Sequence, residues 1–200
     1  MSSTDVKSLI VHSATLHFSK YGFHKTTMDE IARHIHKAKG VLYYYFKSKE
    51  ELFNEVLKQE LEVVKNELRQ ISGSEEDSLT ILKKYLLTRL KLLNTAVNYH
   101  ETIKADFFEK YDFVKDVRDD FARFEKAQLT KIIRKGKKEG YLEIKDIEIN
   151  VNITMMIFNS VEYPLYLQNK YIEFGDTIEE LATIIINSLR TQKSNSQKLT

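Results

Sequence analysis

Apolar residues along the first quarter of the chain recur at helical spacing. Leu9, Ile10, Ser13, Ala14, His17, Phe18 and Tyr21 fall on one face, which predicts an amphipathic helix over residues 4–21 with Gly22 as its C-terminal stop. Thr27 and Glu30 form a capping box, a hydroxyl and a carboxylate placed to satisfy helix-end amides reciprocally, and the stripe Ile31, Ala32, Ile35 that follows lasts about two turns. A basic interruption, His36-Lys37-Ala38-Lys39, leads to Gly40 and a second short stripe of Val41, Leu42, Tyr45 and Phe46, with Tyr43 and Tyr44 on the other side. Ser48 and Glu51 form a second capping box. From there Leu52, Phe53, Val56, Leu57, Leu61, Val64, Leu68 and Ile71 mark a long helix broken by Ser72-Gly73-Ser74. Two short helices joined by a tight turn between longer ones have the pattern of a helix-turn-helix. Helices of two turns are marginal alone, so the longer neighbours must hold them.

The rest of the chain also reads as helices. Leu79, Leu82, Leu86, Leu90 and Leu93 suit a helix over about 76–97, and residues 101–110 are less periodic. Val114, Val117, Phe121, Phe124 and Leu129 predict one reaching Lys138 and closed by Gly140. Residues 142–153 alternate with period two, as a strand would. With no other strand to pair with, they are read as a helix beginning near Asp146, and Pro164 would kink or end it. The last helix is expected to open on a box of Asp176 and Glu179 and to run to about Arg190, leaving 192–200 as a disordered tail. The expected fold class is all-α.

Composition narrows the function classes. With one proline and six glycines, turn chemistry is too sparse for an all-β fold, and 42% hydrophobic with 30% charged residues is an ordinary globular balance. The absence of cysteine excludes disulfides, thiolate metal sites and cysteine nucleophiles. No apolar run approaches the ~18 residues of a membrane span, and the N-terminus lacks a charged-then-apolar signal, so a cytoplasmic protein with no membrane partner is expected. The net charge of +2 hides an asymmetry: residues 1–50 carry eight Lys/Arg against four Asp/Glu, and five of the six histidines. A basic segment on a mildly acidic remainder points to a polyanionic partner for the first part alone.

The chemistry concentrates between Thr27 and Glu51. A helix entering the major groove needs small or polar residues at its N-terminal end and groups beside it that hold phosphates. Lys37, Ala38, Lys39 and Gly40 lead into the third helix, followed by Val41, Tyr43 and Tyr44. Gly40 allows close backbone approach, and the two phenols can donate to phosphate oxygens. Lys49 and the amides after Thr27 sit at helix N-termini, favourable places for an anion. Tyr45 and Phe46 continue the apolar stripe and are expected in the core, with Tyr43 and Tyr44 exposed.

The segments Gly22-Phe23-His24-Lys25-Thr26-Thr27-Met28-Asp29-Glu30-Ile31-Ala32 and Lys39-Gly40-Val41-Leu42-Tyr43-Tyr44-Tyr45-Phe46-Lys47-Ser48-Lys49-Glu50-Glu51-Leu52-Phe53 closely resemble the DNA-binding domain of tetracycline-repressor-like (TetR family) transcriptional regulators. The resemblance covers roughly residues 5–65. It implies an N-terminal three-helix DNA-binding domain and a divergent C-terminal helical domain that binds a small-molecule inducer and dimerises. It also implies phosphate contacts from Thr27, Tyr43, Tyr44 and Lys49, and base-edge or close backbone approach from Lys37, Ala38, Lys39, Gly40 and Val41. One departure matters. The family's turn usually reads Ala-Gly-Val-Ser, whereas this chain has Ile35-His36-Lys37-Ala38, so His36 stands where glycine is favoured in a left-handed conformation. Lys37 replaces an apolar valine and could add a phosphate contact.

The expected domains are therefore 1–50 (with the connecting helix to about 65) for DNA and 51–191 for regulation and dimerisation. The expected function is a sequence-specific regulator, a repressor released from a palindromic double-stranded operator by a ligand. The alternative is a helical small-molecule binding protein or enzyme whose N-terminal helices are structural. No HExxH, phosphate loop or nucleophile elbow is present, so no catalytic residue, metal or cofactor is assigned, and His34 and His36 lie on different helical faces. Phe121, Phe158, Asn159, Glu162 and Tyr163 are candidate pocket residues for an apolar or aromatic inducer. Met155-Met156-Ile157-Phe158 and Ile184-Ile185-Ile186 are apolar on more than one face, which predicts a homodimer through the last two helices, about 146–167 and 176–190.

Overall fold

A computed structural model describes residues 3–108 and 112–190, including the side chains of 5–103 and 112–190. In chain order the helices are α1 (Ser3–Lys25), α2 (Met28–His34), α3 (Lys39–Tyr45), α4 (Lys49–Ser72), α5 (Ser78–Thr95), α6 (Val97–Phe108), α7 (Lys115–Glu139), α8 (Ile147–Glu162) and α9 (Gly175–Leu189). A 3-10 turn, Asp112–Val114, precedes α7, and a π-helical turn, Tyr163–Leu167, follows α8. Among the described residues there is no strand, only an isolated antiparallel bridge between Leu142 and Arg190. The fold is all-α. The expected disordered tail, 192–200, lies outside the described residues.

The chain packs into two compact units. The first takes the chain up to Lys65 together with Leu93–Phe121, and the second takes Asn66–Leu92 and the chain from Ala122 onward. A boundary between residues 50 and 65 with one body after it is the expected division; in the structure α6, although it follows that boundary, packs against α1 within the first unit. That unit centres on aromatic rings. Phe18 and Phe23 each lie 5.0 Å from Phe53 between ring centroids, and Phe113 lies 5.0 Å from Phe23. Ile10, Ala14, Ile31 and Leu42 are fully buried in the same unit.

Helix ends follow local chemistry in most places. The helix of α1 is broken at Gly22 (φ 80°), a backbone region that L side chains enter only at a cost. Asp146 caps α8 by accepting from Ile149 N at 3.0 Å, so the period-two segment is helical from residue 147. The α-helical part ends at Glu162, ahead of Pro164. The start of α9 departs from expectation. It begins at Gly175 after Phe174 with no side-chain cap, and Asp176 and Glu179 form no box. A preceding turn supplies the first carbonyls instead, with Gly175 N donating to Ile172 O and Phe174 N to Lys170 O.

Candidate nucleic-acid interface

The turn between α2 and α3 is built from the end of α2. Thr27 caps that helix in a complete box: Glu30 N donates to Thr27 Oγ1 at 3.3 Å, while Thr27 N donates to the Glu30 carboxylate at 2.9 Å. The Thr27 hydroxyl donates to the same carboxylate and, with the backbone amide, holds the Glu30 acid below its usual value. At the other end Lys37 N donates to Ala32 O at 3.0 Å and His36 N to Arg33 O at 3.1 Å, the two bonds of a Schellman motif. The residue that must then be left-handed is His36, and its φ is 52°.

From that turn α3 is displayed on two anchors. Leu42 is fully buried and Phe46 nearly so, and both face the first unit's core. Lys37, Ala38, Lys39 and Gly40 are exposed, and Val41 is half-buried. Tyr43 is 44% exposed and Tyr44 81%, while Tyr45 is half-buried with its ring 5.0 Å from Tyr44. Lys39 lies over the Tyr43 ring at 5.8 Å. A Cβ added to Gly40 would meet nothing within 4 Å, so packing inside the protein does not require glycine there. Thr27 is exposed at the start of α2.

Lys49 is placed otherwise than its sequence position suggests. Its ammonium donates to three carbonyls at the α1–α2 junction, Phe23 O at 2.8 Å, Thr26 O at 3.1 Å and His24 O at 3.4 Å, and lies 4.3 Å from the Phe23 ring centroid. Three protons with three protein acceptors leave it fastening α4 to the end of α1 instead of reaching outward. Partial burial lowers its pKa from the usual lysine value. Thr26, which the sequence reading passed over, is buried in the same junction and donates to Gly22 O at 2.9 Å. Ser48 accepts from Glu51 N at 3.2 Å as expected, but the Glu51 carboxylate takes the amide of Lys47, one residue before the cap.

Comparison with known proteins places this geometry. Residues 10–56 match the family model described as bacterial regulatory proteins, tetR family. A Bacillus subtilis (strain 168) protein named as an uncharacterised HTH-type transcriptional regulator, YhgD, is 29% identical over 160 residues, covering 78% of this chain and 82% of that one. A crystal structure of a transcriptional regulator from Cytophaga hutchinsonii superposes with a TM-score of 0.76 at 25% identity, covering 92% of this chain and 98% of the other. Over residues 10–56 the chain has the DNA-binding domain of the tetR family. It is a DNA-binding transcriptional regulator of helix-turn-helix type. A further structure of the same fold, FadR from Bacillus subtilis solved with stearoyl-CoA, superposes with a TM-score of 0.70 at 16% identity, covering 92% of this chain and 97% of that one.

In the regulator's second unit the candidate pocket residues divide. Phe158, Asn159 and Glu162 gather around a residue the sequence reading did not single out, Arg89. Arg89 is buried. It donates through Nε to Glu125, through Nη2 to Glu125 at 3.1 Å and Glu162 at 2.8 Å, and to Asn159 Oδ1 at 3.3 Å. Burial works against its charge, but the two carboxylates outweigh it and hold the guanidinium protonated well above its usual value. Arg89 Nη1 and the Tyr85 hydroxyl are buried without a hydrogen-bond partner among the described residues. Phe121 falls in the first unit, its ring 6.0 Å from Tyr99, and Tyr163 is half-buried at the start of the π turn. One signal was available: Arg89, Glu125 and Glu162 each sit one turn after an apolar core position, Tyr85, Phe121 and Phe158. Among the described residues no helix is long and apolar enough to cross a membrane, and no cluster of ligating side chains suits a metal ion.

Proposed function

We propose that the regulator is a homodimeric repressor that reads a palindromic operator through α3 and releases it when a small molecule binds the helical body. The observation that carries this is the division of this segment between Leu42 and Phe46, which anchor it, and the exposed Lys37, Ala38, Lys39, Gly40, Tyr43 and Tyr44. Lys39, Gly40 and Val41 would approach base edges, with Lys37 and Ala38 beside them. Tyr43, Tyr44 and the α2 start at Thr27 would hold phosphates. Lys49 is left out of the contact set and given a positioning role. The exposed aromatics Tyr43 and Tyr44 on so short a helix disfavour the alternative in which the N-terminal helices only pack.

The dimer would form through α8 and α9. Ile149 (55% exposed), Ile153 and Met156 (70%) follow one another at i, i+4 and i+7 on α8, and Ile184 is exposed on α9. Such a stripe on a surface helix is what a second copy covers. The ligand is proposed as apolar or aromatic, bound between body helices near Arg89, Phe158, Asn159 and Glu162. The stearoyl-CoA held by FadR, a protein of similar fold, supports a ligand with a long apolar portion. Binding would have to favour one arrangement of the dimer over the other to shift operator affinity. The test is to select bound duplexes from a random pool and then screen compounds for release of the selected sequence. A twofold-symmetric consensus with half-sites ~34–36 Å apart, or a multiple of that, is expected. A pool that yields no consensus would refute the reading.

A further inference from the structure

Two buried side chains on α5 carry hydrogen-bond donors that meet no acceptor. Tyr85 and Arg89 stand one turn apart, so both leave the helix on the same face, and Arg89 is only 3% exposed and Tyr85 not at all. The acceptors around Arg89 all lie along one edge of its guanidinium. The Glu125 carboxylate spans Nε and Nη2, while Asn159 Oδ1 at 3.3 Å and Glu162 Oε1 at 2.8 Å share Nη2. Nη1, with two N–H groups, meets no acceptor among the described residues, and neither does the Tyr85 hydroxyl. Burial, and after it the Glu125 charge, raises the Tyr85 pKa well above the ordinary tyrosine value, so the phenol stays a donor. The nearby Tyr166 hydroxyl is already committed to Leu90 O at 3.2 Å. Buried donors are nearly always paired, because an unpaired one loses its hydration and gains nothing. A pair of them on one face marks a place where the protein alone does not supply the acceptor.

We infer that Arg89 Nη1 and the Tyr85 hydroxyl are the polar end of a ligand site in the second unit, one that takes an uncharged carbonyl oxygen (of a ketone, ester or amide) carried on an apolar body. The inference rests on the reading that a small molecule enters the helical body, and it names the chemistry by which that molecule is recognised. A carbonyl oxygen has two lone pairs and no proton, so it can accept from both donors at once. An anion is the wrong partner. The guanidinium charge is already answered by Glu125 and Glu162, so Nη1 lacks an acceptor and not a counter-charge. A carboxylate entering there would stand beside two others. An ammonium group is excluded as well, since it brings only donors to a place where donors are already unpaired. Phe158, buried with its ring centroid 5.8 Å from Arg89 Cζ, supplies apolar surface beside the donors. Asn159 is exposed, so the buried guanidinium lies one side chain away from solvent. A few placed polar groups against apolar walls are what fixes the orientation of a small ligand.

The test uses the full chain and its Tyr85→Phe variant, with Arg89 left in place because removing it would strand two buried carboxylates. Acetophenone and heptyl methyl ketone are the probes, and benzoate, octanoate and isopropylbenzene are the matched comparisons, all titrated calorimetrically at neutral pH. At least one ketone should bind saturably and at least about tenfold more tightly than its comparisons, since a site with buried unpaired donors rejects a body that cannot accept from them. Tyr85→Phe should weaken that ketone about tenfold. The variant should melt no lower than the parent, because the hydroxyl it removes has no partner among the described residues. The proposal is overturned if neither ketone binds, if a carboxylate binds more tightly than its ketone, or if the variant binds the ketone as well as the parent does. A variant that melts lower overturns it too, since an ordered water would then already answer the hydroxyl. Release of a selected operator is scored separately. A ketone that binds in this way and releases no operator refutes the inducer reading and leaves the site standing. Release by octanoate, equal in parent and variant, refutes the site alone.

Discussion

Two residues in the reading head separate strain from function. His36 occupies the left-handed position of the Schellman turn at φ 52°, where a side chain costs about 1–2 kcal/mol relative to glycine. His36→Gly should raise unfolding stability by about 1 kcal/mol, measured by urea denaturation, because the same two turn bonds would form without the Cβ penalty. Gly40 behaves oppositely. No protein atom lies near its missing Cβ, so Gly40→Ala should leave stability equal or up to ~1 kcal/mol higher through helix propensity. Operator affinity, read by anisotropy, should nevertheless drop at least about tenfold if the backbone approaches DNA there. The position of His36 was legible because the sequence alone identifies the end of α2 and the residue that must turn. The aim of Lys49 was not, since its three carbonyl partners lie more than twenty residues away.

Helix ends tell a similar story one level up. Boxes whose partners are three residues apart are visible in a sequence, and Thr27–Glu30 formed as expected. Caps supplied from elsewhere are not. The N-terminus of α6 is satisfied by Glu60 of α4, whose carboxylate accepts from Tyr99 N at 2.8 Å and Asn98 N at 3.3 Å. Burial holds the Glu60 carboxyl above its usual value in spite of those bonds. The folded chain therefore binds that proton more tightly than the unfolded one, and the stability tied to Glu60 is greatest at low pH and declines as pH rises through the raised value. Compared by urea midpoint between pH 4.5 and 7, the parent protein's advantage over Glu60→Gln should be larger at the acid end. Lys49→Met should lower stability by about 1.5–3 kcal/mol, the range for hydrogen bonds to a charged group. It should leave the salt slope of DNA binding unchanged, whereas a phosphate contact would lower that slope by about 0.9.

At the scale of the whole molecule, the prediction concerns pairing of copies. Met156 and Ile153 are exposed beside the buried Val151, Thr154 and Phe158 of the same helix, so a charge there disturbs an outward face and not the core. Met156→Glu should therefore fold with a nearly unchanged melting temperature yet sediment as a monomer. Its affinity for a palindromic operator should drop towards that of a single half-site. A variant that remains dimeric would locate the interface elsewhere. The buried network of the second unit lies on the same scale. One guanidinium joins side chains from α5, α7 and α8, and such an arrangement contributes more to fixing how helices meet than to net stability.

The sequence by itself determined what depends on neighbours within a turn or two: the all-α class, the short paired helices before residue 50, their caps, the outward position of Tyr43 and Tyr44, and the match of the first unit to a tetR-family DNA-binding domain. Helical periodicity and side-chain-to-amide bonds act over that distance, so the residues alone specify them. The tertiary structure decided which long side chains turn inward. Lys49 was drawn to carbonyls at the end of α1, Glu60 to the start of α6, and Arg89 to two carboxylates from helices 36 and 73 residues away. A charge on a flexible stem goes to whichever opposite groups the packed chain leaves within reach, and that depends on how distant segments meet.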